Sequence, residues 1–455
     1  GQFLHKQSEE HLRELGAVNS QDNVDLDTGA VIMDTDLLQS LYGLISTDGR
    51  TDEQKFSEFV NEEARISFYG DFLYPLARSA TLEQYYREAA EGTINERLLG
   101  CRAKIWEALS PFSMKLICLS PAEFIHFGTT TELRRLVTAD VEDYEFLDWK
   151  KQVSTTAPET SAYAAHNSYV GKRARIACGA YLEDSYVLDE SVVGKGSVIS
   201  NVKLRNVTVP ENVVLHGLKL LDGRYVVRIY GVEDNPKGTL EKDAYFLGTT
   251  LSAFLSDNGL TPEALWKDRE HYLWFAALYP AADTMEEAIR SALLVKKMAE
   301  HSASPEEIEA WKNKERMSLY SSFNGADVLA ISKWQHELES RILASKFVWA
   351  IEAGTYYKEA LQVFGAHGIS QDIYEMLLED AGKAGFSLKI RIYYALAQYM
   401  KENRITFGQT GYDALEAMCF GTIQRTIYDN AAAKLPSSQD YRIAKDLSLI
   451  HISEP

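Results

Sequence analysis

The sequence predicts an α/β mixed sheet, followed by a left-handed parallel β-helix and an all-α region. Short β-rich runs alternate with helical spacing over residues 1–154, which is typical of a sheet covered by helices. Aliphatic residues then recur about every six positions within residues 155–238, the period of a parallel β-helix. Helical spacing dominates residues 239–446, and residues 447–455 form a separate tail.

The composition is that of an ordinary globular protein. At 455 residues, 45% hydrophobic and 25% charged, the chain is long enough for several domains of roughly 150 residues each. The net charge of -19 excludes a general nucleic-acid binder, because neutralising phosphates needs a basic face. No apolar run approaches the roughly 20 residues that cross a bilayer, and the cysteines form no C-x-x-C pair. We therefore expect a cytoplasmic protein without a membrane or nucleic-acid partner.

Four segments define the α/β part. Val24 to Met33 has the pattern of a strand interrupted by a turn at Asp27-Thr28-Gly29, and Met114 to Leu119 is a short apolar run typical of a buried strand. Thr81 to Gly92 and Glu96 to Leu109 carry helical spacing. A mixed sheet covered by helices accounts for this alternation.

The β-helix prediction depends on a ladder of aliphatic residues separated by small and turn-forming ones. Each short strand would place one aliphatic side chain in a narrow core, while Gly, Asn and Asp form the corners. The register slips by one between Leu188 and Val193, which predicts an irregular corner there. An antiparallel sheet with frequent turns is the alternative. The ladder consists of Val170, Ile176, Leu182, Leu188, Val193 and Ile199.

The all-α part has two clear helix starts. Thr261-Pro262-Glu263 and Ser304-Pro305-Glu306-Glu307 each place a hydroxyl at the N-cap, a proline at the first helical position and acids in the first turn. These patterns predict a helical bundle or a helical linker between domains. No catalytic motif is recognisable in this part.

The N-terminal residues carry a first resemblance. Phe3-Leu4-His5-Lys6 followed by Asp27-Thr28-Gly29 resembles the second half of the catalytic domain of sugar nucleotidyltransferases. The resemblance implies that Lys6 contacts the phosphate of a sugar-1-phosphate, and that Asp27, Thr28 and Gly29 lie against the sugar. One ammonium on a phosphate suits a reaction that brings two anions together. Gln7 stands where the family usually has proline.

Two further segments are candidates for ligand contacts. Asp71 lies where such folds can supply a carboxylate for Mg²⁺, although a solvated turn or a helix N-cap explains it equally well. Gly128 and Thr129 could present backbone N–H groups to an anion in the substrate. A capped helix that begins at Thr130 or Thr131 is the preferred interpretation of the same residues.

The order of segments along the chain carries a second, closer resemblance. The lysine strand is followed by Tyr144 to Trp149, by the hexapeptide coils and by Val226 to Gly238, and later by Leu273 to Pro280. This order resembles the bifunctional fucokinase/L-fucose-1-phosphate guanylyltransferase (GDP-fucose pyrophosphorylase) family. The resemblance implies GTP and L-fucose-1-phosphate as substrates, Mg²⁺ as cofactor and a fused kinase domain.

The same resemblance predicts a fragment that is itself inactive. The family's Gly-rich nucleotide loop would precede Gly1, the kinase domain would follow Asp446, and residues 447–455 resemble a translated sequencing adapter. Two alternatives remain open. The chain could be a non-catalytic scaffold of a fucokinase, or a hexapeptide-repeat acyltransferase with His166 or His216 as its base.

Overall fold

A computed structural model describes residues 8–88, 90, 92–119, 125, 127–408 and 410–429. The chain forms two compact units, Gly1–His126 and Phe127–Pro455. Lys6 and the tail 447–455 lie outside the described residues, so their predicted roles stay predictions.

The first unit is mainly helical. Its core gathers Leu37, Phe59, Leu76 and Ile105. The helix predicted over Glu96 to Leu109 is confirmed, whereas the one predicted from Thr81 is shorter, because Thr81 is its N-cap and it ends at Arg87. The elements are α1 Glu9–Glu14, α2 Thr35–Ile45, the hairpin β1 Ser46–Thr47 and β2 Arg50–Thr51, α3 Glu53–Phe59, a π-helical turn Phe68–Leu73, a 3₁₀ turn Tyr74–Leu76, α4 Leu82–Arg87 and α5 Glu96–Leu109.

The two strands predicted in this unit are wrong. Val24 forms only an isolated bridge with Val18, and no strand is present over residues 114–119, where Leu116 is 74% exposed. A short apolar run becomes a strand only when a neighbouring strand pairs with it. Apart from the single Val18–Val24 bridge, the hairpin of β1 and β2 is the only strand pair among the described residues of this unit. The mixed sheet of this protein lies in the second unit.

The second unit opens with α6 Thr130–Thr138, a 3₁₀ segment Asp140–Leu147 and a three-faced parallel β-solenoid. Ala164 pairs with Tyr181 and Tyr181 with Val198, so the first coils take 17 residues each, and the last, from Val198 to Val214, takes 16. Parallel pairing at this spacing confirms the predicted β-helix and rules out the alternative of an antiparallel sheet with frequent turns. The left-handed sense of the β-helix stays a prediction. The strands are β3 Gln152–Thr155, β4 Ala164–Val170, β5 Arg175–Ile176, β6 Tyr181–Glu183, β7 Tyr186–Val187, β8 Val192–Val193, β9 Val198–Ser200, β10 Lys203–Leu204, β11 Thr208–Val209 and β12 Val213–Lys219.

The solenoid core repeats with unequal steps. Leu182, Val187, Val193 and Ile199 are fully buried, so the steps along one coil are five, six and six residues. Val187 therefore takes the core position predicted for Leu188, which is only partly buried. Asp184 explains the short step, because its left-handed φ of 47° turns the chain in a single residue. The irregular corner thus precedes Val187, and the residues at equivalent positions of the flanking coils, Asn167 and Asn201, share the left-handed conformation.

The end of the solenoid joins an antiparallel extension. Strand β12 pairs with β13 Tyr225–Gly231, which pairs with β16 Tyr279–Ala282, and β16 pairs with β17 Arg316–Met317. The resulting ten-stranded sheet is mixed, with parallel coils at one side and antiparallel strands at the other. Helix α9, Met285–Ala299, packs its buried face on β13.

The rest of the described second unit is mainly helical, as predicted. The prediction of an all-α region from residue 239 is wrong for Tyr279–Ala282 and Arg316–Met317, which extend the sheet, and for a short hairpin within residues 245–250. Ser304 forms a capping box and Pro262 and Pro305 occupy first helical positions. No helix of the described residues is long and apolar enough to cross a membrane. The remaining elements are the hairpin β14 Tyr245–Phe246 and β15 Thr249–Thr250, α7 Leu251–Asp257, α8 Pro262–Trp266, α10 Pro305–Lys312, α11 Leu319–Asn324, α12 Val328–Glu352, α13 Tyr357–Ala360, α14 Gln371–Lys383, α15 Phe386–Asn403 and α16 Tyr412–Asp429, with 3₁₀ turns Leu240–Lys242, Leu273–Phe275 and Leu361–His367.

Candidate functional site

The turn expected to face the sugar is present in the first unit. The Gly29 N–H donates to Asp27 Oδ1 at 2.9 Å, and Gly29 adopts a φ of 73°, which glycine tolerates without strain. Asp27, Thr28 and Gly29 are all exposed. Because Asp27 is exposed, its carboxylate can also accept hydrogen bonds from sugar hydroxyls.

Tyr69 lies against this turn. A Cβ built on Gly29 would stand 3.0 Å from the Tyr69 hydroxyl, so the phenol approaches the glycine closely. The neighbouring Phe68 ring packs edge-on at 5.4 Å and is 40% exposed. A carboxylate, a threonine hydroxyl and an aromatic pair thus gather at one surface. Aromatic faces together with hydrogen-bonding groups form a suitable surface for a sugar ring.

Asp71 belongs to the interior of the first unit. Its Oδ1 accepts from Arg102 Nε at 2.7 Å, its Oδ2 accepts from the Ser67 N–H at 2.6 Å, and both charged side chains are fully buried. Arg102 also donates to the Tyr85 and Glu88 carbonyls. Both carboxylate oxygens are engaged, so the predicted Mg²⁺ role would require this ion pair to open first.

Gly128 and Thr129 form the cap of α6. Thr129 is the N-cap, and the Glu132 carboxylate accepts from the Gly128 N–H at 2.8 Å and from the Thr129 N–H at 2.9 Å. The preferred interpretation, a capped helix beginning at Thr130, is confirmed. A substrate anion would have to displace the carboxylate of Glu132 to reach these two amides.

A row of polar side chains crosses the outer face of the solenoid. His166 is in register with Glu183, Glu183 with Ser200, Ser200 with His216, and His216 with Arg228. Their sequence neighbours at the inner face, such as Leu182 and Ile199, belong to the core, so alternation directs this row outward. We call these five residues the outer row.

The two histidines of the outer row are neutral at physiological pH. Desolvation lowers the pKa of His216 to about 3, and the neighbouring Arg228 guanidinium acts in the same direction. His216 Nδ1 accepts from Arg228 Nη2, which leaves the His216 proton on Nε2. Burial also lowers the pKa of His166, whose ring nitrogens bond the Lys150 carbonyl and the Tyr181 hydroxyl.

Sequence reasoning did not identify Tyr69 or Arg228 as candidate site residues. Tyr69 approaches Gly29 across about forty positions of sequence, and only the folded chain brings the two together. Arg228 lies in the segment Val226 to Gly238. The one sequence feature that could have pointed to it is that it is a single arginine within an otherwise apolar strand. Among the described residues, no group of three or more His, Cys, Asp or Glu side chains gathers into a metal site.

The fold defines a class of protein in which a helical unit precedes a parallel β-solenoid and a helical region. The family model described as the fucose pyrophosphorylase domain matches residues 1–284. Because this match covers more than half of the chain, the protein belongs to that family.

Three relatives agree with this assignment. The chain is 28% identical to a fucose-1-phosphate guanylyltransferase of Mus musculus, over 64% of the chain and 54% of the relative. It is 25% identical to a fucose-1-phosphate guanylyltransferase of Homo sapiens, over 70% of the chain and 55% of the relative. It is 27% identical to a bifunctional fucokinase/GDP-fucose pyrophosphorylase of Arabidopsis thaliana, over 44% of the chain and 20% of the relative. The chain thus spans about half the length of the two guanylyltransferases it matches. No solved structure matches it.

Proposed function

We propose that this chain forms the sugar-phosphate part of a nucleotidyltransferase that converts GTP and L-fucose-1-phosphate to GDP-fucose and diphosphate. The observation that carries the proposal is the family match over residues 1–284, which includes Lys6 and the Asp27 to Gly29 turn. The relatives' names supply the substrates. In the reaction, a phosphate oxygen of the sugar phosphate bonds to the α-phosphorus of GTP, and the bond to the β-phosphate breaks to release diphosphate.

The proposed roles follow from charge and position. Lys6 contacts the sugar phosphate and offsets charge as the two phosphates approach. The carboxylate of Asp27 and the hydroxyl of Thr28 form hydrogen bonds with the sugar, and Gly29 lets the sugar approach the backbone. Tyr69, which touches Gly29, supplies an aromatic contact beside them. Catalysis by these groups consists of positioning and electrostatic stabilisation.

Asp71, the predicted magnesium ligand, is not placed to hold a metal in this structure. Asp71 is fully buried and paired with Arg102, and the described residues hold no cluster of metal-binding side chains. Magnesium is still expected with the triphosphate of GTP, as in phosphoryl transfer generally. No step proposed for this chain depends on a metal bound to Asp71.

Sugar-phosphate binding by this chain tests the proposal. Isothermal titration with L-fucose-1-phosphate should give saturable binding that Lys6→Ala weakens at least about tenfold, since a charge-assisted contact to phosphate is lost. Lys333→Ala is the matched control, because Lys333 is an exposed lysine of α12 in an i, i+4 pair with Glu337.

The outcomes separate clearly. Binding that survives Lys333→Ala and is lost with Lys6→Ala supports the assignment. Equal affinity of wild type and Lys6→Ala would remove Lys6 from the site, and absence of binding by the folded chain would remove the sugar-phosphate function from this part of the protein.

The two alternatives have less support. An acyltransferase would need His166 or His216 as a base, yet His216 Nδ1 is engaged by Arg228 and both nitrogens of His166 have partners. A scaffold without catalytic residues would bind no sugar phosphate, so the titration above distinguishes it from the proposed function.

A further inference from the structure

Arg228 is a buried charge that lacks an opposite charge. It is only 8% exposed, and among the described residues no carboxylate forms an ion pair with it. Its Nε is buried and has no hydrogen-bond partner, while Nη2 donates to His216. A guanidinium in this state is unfavourable, because its hydration is lost without full replacement. A bound anion would remove this cost, because it would supply both the missing countercharge and a hydrogen-bond acceptor.

The nearby carboxylates do not supply the missing charge. Glu183, in the outer row, is three strands away from Arg228 in the register and lies close to the Tyr181 hydroxyl. Asp234 accepts hydrogen bonds from the Gly231 and Leu247 N–H groups. Burial lowers the pKa of Arg228, and the groups that act in the opposite direction are the phenols of Tyr230 and Tyr279, not carboxylates. The His216 imidazole is neutral, so the local net charge is positive.

Two helices pack against the outer face of the sheet that carries Arg228. Beside the outer row, Tyr181, Val198 and Val214 form an apolar row on which Val137 of α6 packs. On the other side, α12 is fixed to the corner residue Asp184, whose carbonyl accepts from Trp334 Nε1 at 2.9 Å. The outer row therefore lies between two helices.

His216 and Tyr230, which flank Arg228, are both partly exposed. Solvent therefore reaches the immediate neighbours of the guanidinium, although Nε itself is buried.

We propose that Arg228 forms the centre of a binding site for a phosphate-type oxyanion on the outer face of the solenoid. Arg228 Nε–H is a buried donor without a partner, and a bound anion satisfies it and neutralises the guanidinium. Ser200 and Glu183, next along the outer row, offer polar contacts to an organic group that the phosphate carries. The role proposed for Arg228 does not depend on the role proposed for Lys6.

Phosphate titration tests this site directly. Inorganic phosphate, titrated at constant ionic strength against chloride, should bind wild type, and Arg228→Met should weaken binding at least about tenfold, since a hydrogen bond to a charged group is removed. Arg173→Met is the matched control, because Arg173 is an exposed solenoid arginine already paired with Asp189 and Glu190. It should bind phosphate as wild type does.

A second measurement covers the possibility that Arg228→Met alters folding. Phosphate should raise the Tm of wild type and of Arg173→Met, and it should leave the Tm of Arg228→Lys unchanged, because lysine keeps the charge but has no Nε–H to donate. Equal phosphate affinity of wild type and Arg228→Met, or no phosphate binding by folded wild type, would overturn the proposal.

The source of the anion is resolved in the Lys6→Ala background. There, L-fucose-1-phosphate that still binds through Arg228 identifies the ligand as a phosphate ester, whereas binding of inorganic phosphate alone identifies the free ion. Both results support the site. Loss of binding with Lys6→Ala but not with Arg228→Met would assign all phosphate binding to the Lys6 site and contradict the inference.

Discussion

At the residue scale, the buried pair of Asp71 and Arg102 is the clearest case of charge used to build the fold. Asp71 receives hydrogen bonds from Arg102 and from the Ser67 backbone, and its own carbonyl accepts from the Tyr85 hydroxyl. The pair therefore links the π-helical turn to α4 and α5. The sequence pattern suggested a solvated turn or a metal ligand, because it could not reveal that Arg102 lies opposite.

Removal of one partner should be costly. Asp71→Asn leaves the Arg102 guanidinium buried without its countercharge, so we expect the free energy of unfolding to fall by about 3–5 kcal/mol. Urea denaturation of the chain measures this loss. Glu83→Gln, which breaks the exposed Arg87 pair of α4, is the control and should leave stability unchanged. Comparable effects of the two variants would show that the buried pair contributes no more than a surface pair.

His216 predicts a specific dependence of stability on pH. Its pKa is about 3 in the folded chain and about 6.5 when unfolded, so below pH 6.5 the unfolded chain binds a proton that the native chain does not. The contribution of His216 is complete above about pH 6.5 and is lost progressively as the pH falls toward 3. His216→Gln should therefore lose less stability than wild type between about pH 7 and pH 5.

Urea denaturation at those two pH values measures the difference. His336→Gln, which removes an exposed imidazole of α12, is the reference variant. An identical loss in wild type and His216→Gln would mean that His216 titrates normally in the folded chain.

At the element scale, sequence periodicity identified the solenoid but not its detailed register. The pattern of aliphatic residues located the coils, because each strand must place an apolar side chain in the core. It misplaced the core position at Leu188, since the one-residue left-handed corner at Asp184 shortens one step per coil. The apolar run Met114 to Leu119 failed as a strand for another reason: strand formation depends on a partner, and a local pattern cannot supply one.

A side chain at the glycine corner Gly196 should destabilise the solenoid. Gly196 has a φ of 66°, and a Cβ there would lie 2.8 Å from Arg134 Nη1 and 2.6 Å from Asn212 Oδ1. Gly196→Ala should lower the free energy of unfolding by at least about 1 kcal/mol, because it adds both backbone strain and a clash. Gly382 lies within α14 and has open space where a Cβ would lie, so Gly382→Ala should raise stability by about 0.5–1 kcal/mol.

Thermal or urea unfolding of both variants measures these opposite shifts. A stabilising Gly196→Ala would mean that the corner can relax and that α6 is not held closely over it.

At the scale of the whole molecule, the solenoid organises the second unit. Helix α6 covers one part of its outer face, α12 is hydrogen-bonded to its corner at Asp184, and α9 packs on the antiparallel extension. Family membership follows from the sequence match over residues 1–284, and the order of motifs along the chain predicted it. The structure adds Tyr69 beside the sugar turn and Arg228 in the outer row, because side-chain proximity across distant segments has no signature in a single sequence.

Hydrogen–deuterium exchange with mass spectrometry tests the central claim most directly, since it shows where L-fucose-1-phosphate protects the chain. Inorganic phosphate serves as the reference, so that protection around Arg228 by the phosphate group alone is subtracted. The account predicts additional protection by the sugar phosphate in peptides from residues 1–33 and around Tyr69. Additional protection confined to the solenoid, with residues 1–33 unaffected, would contradict it.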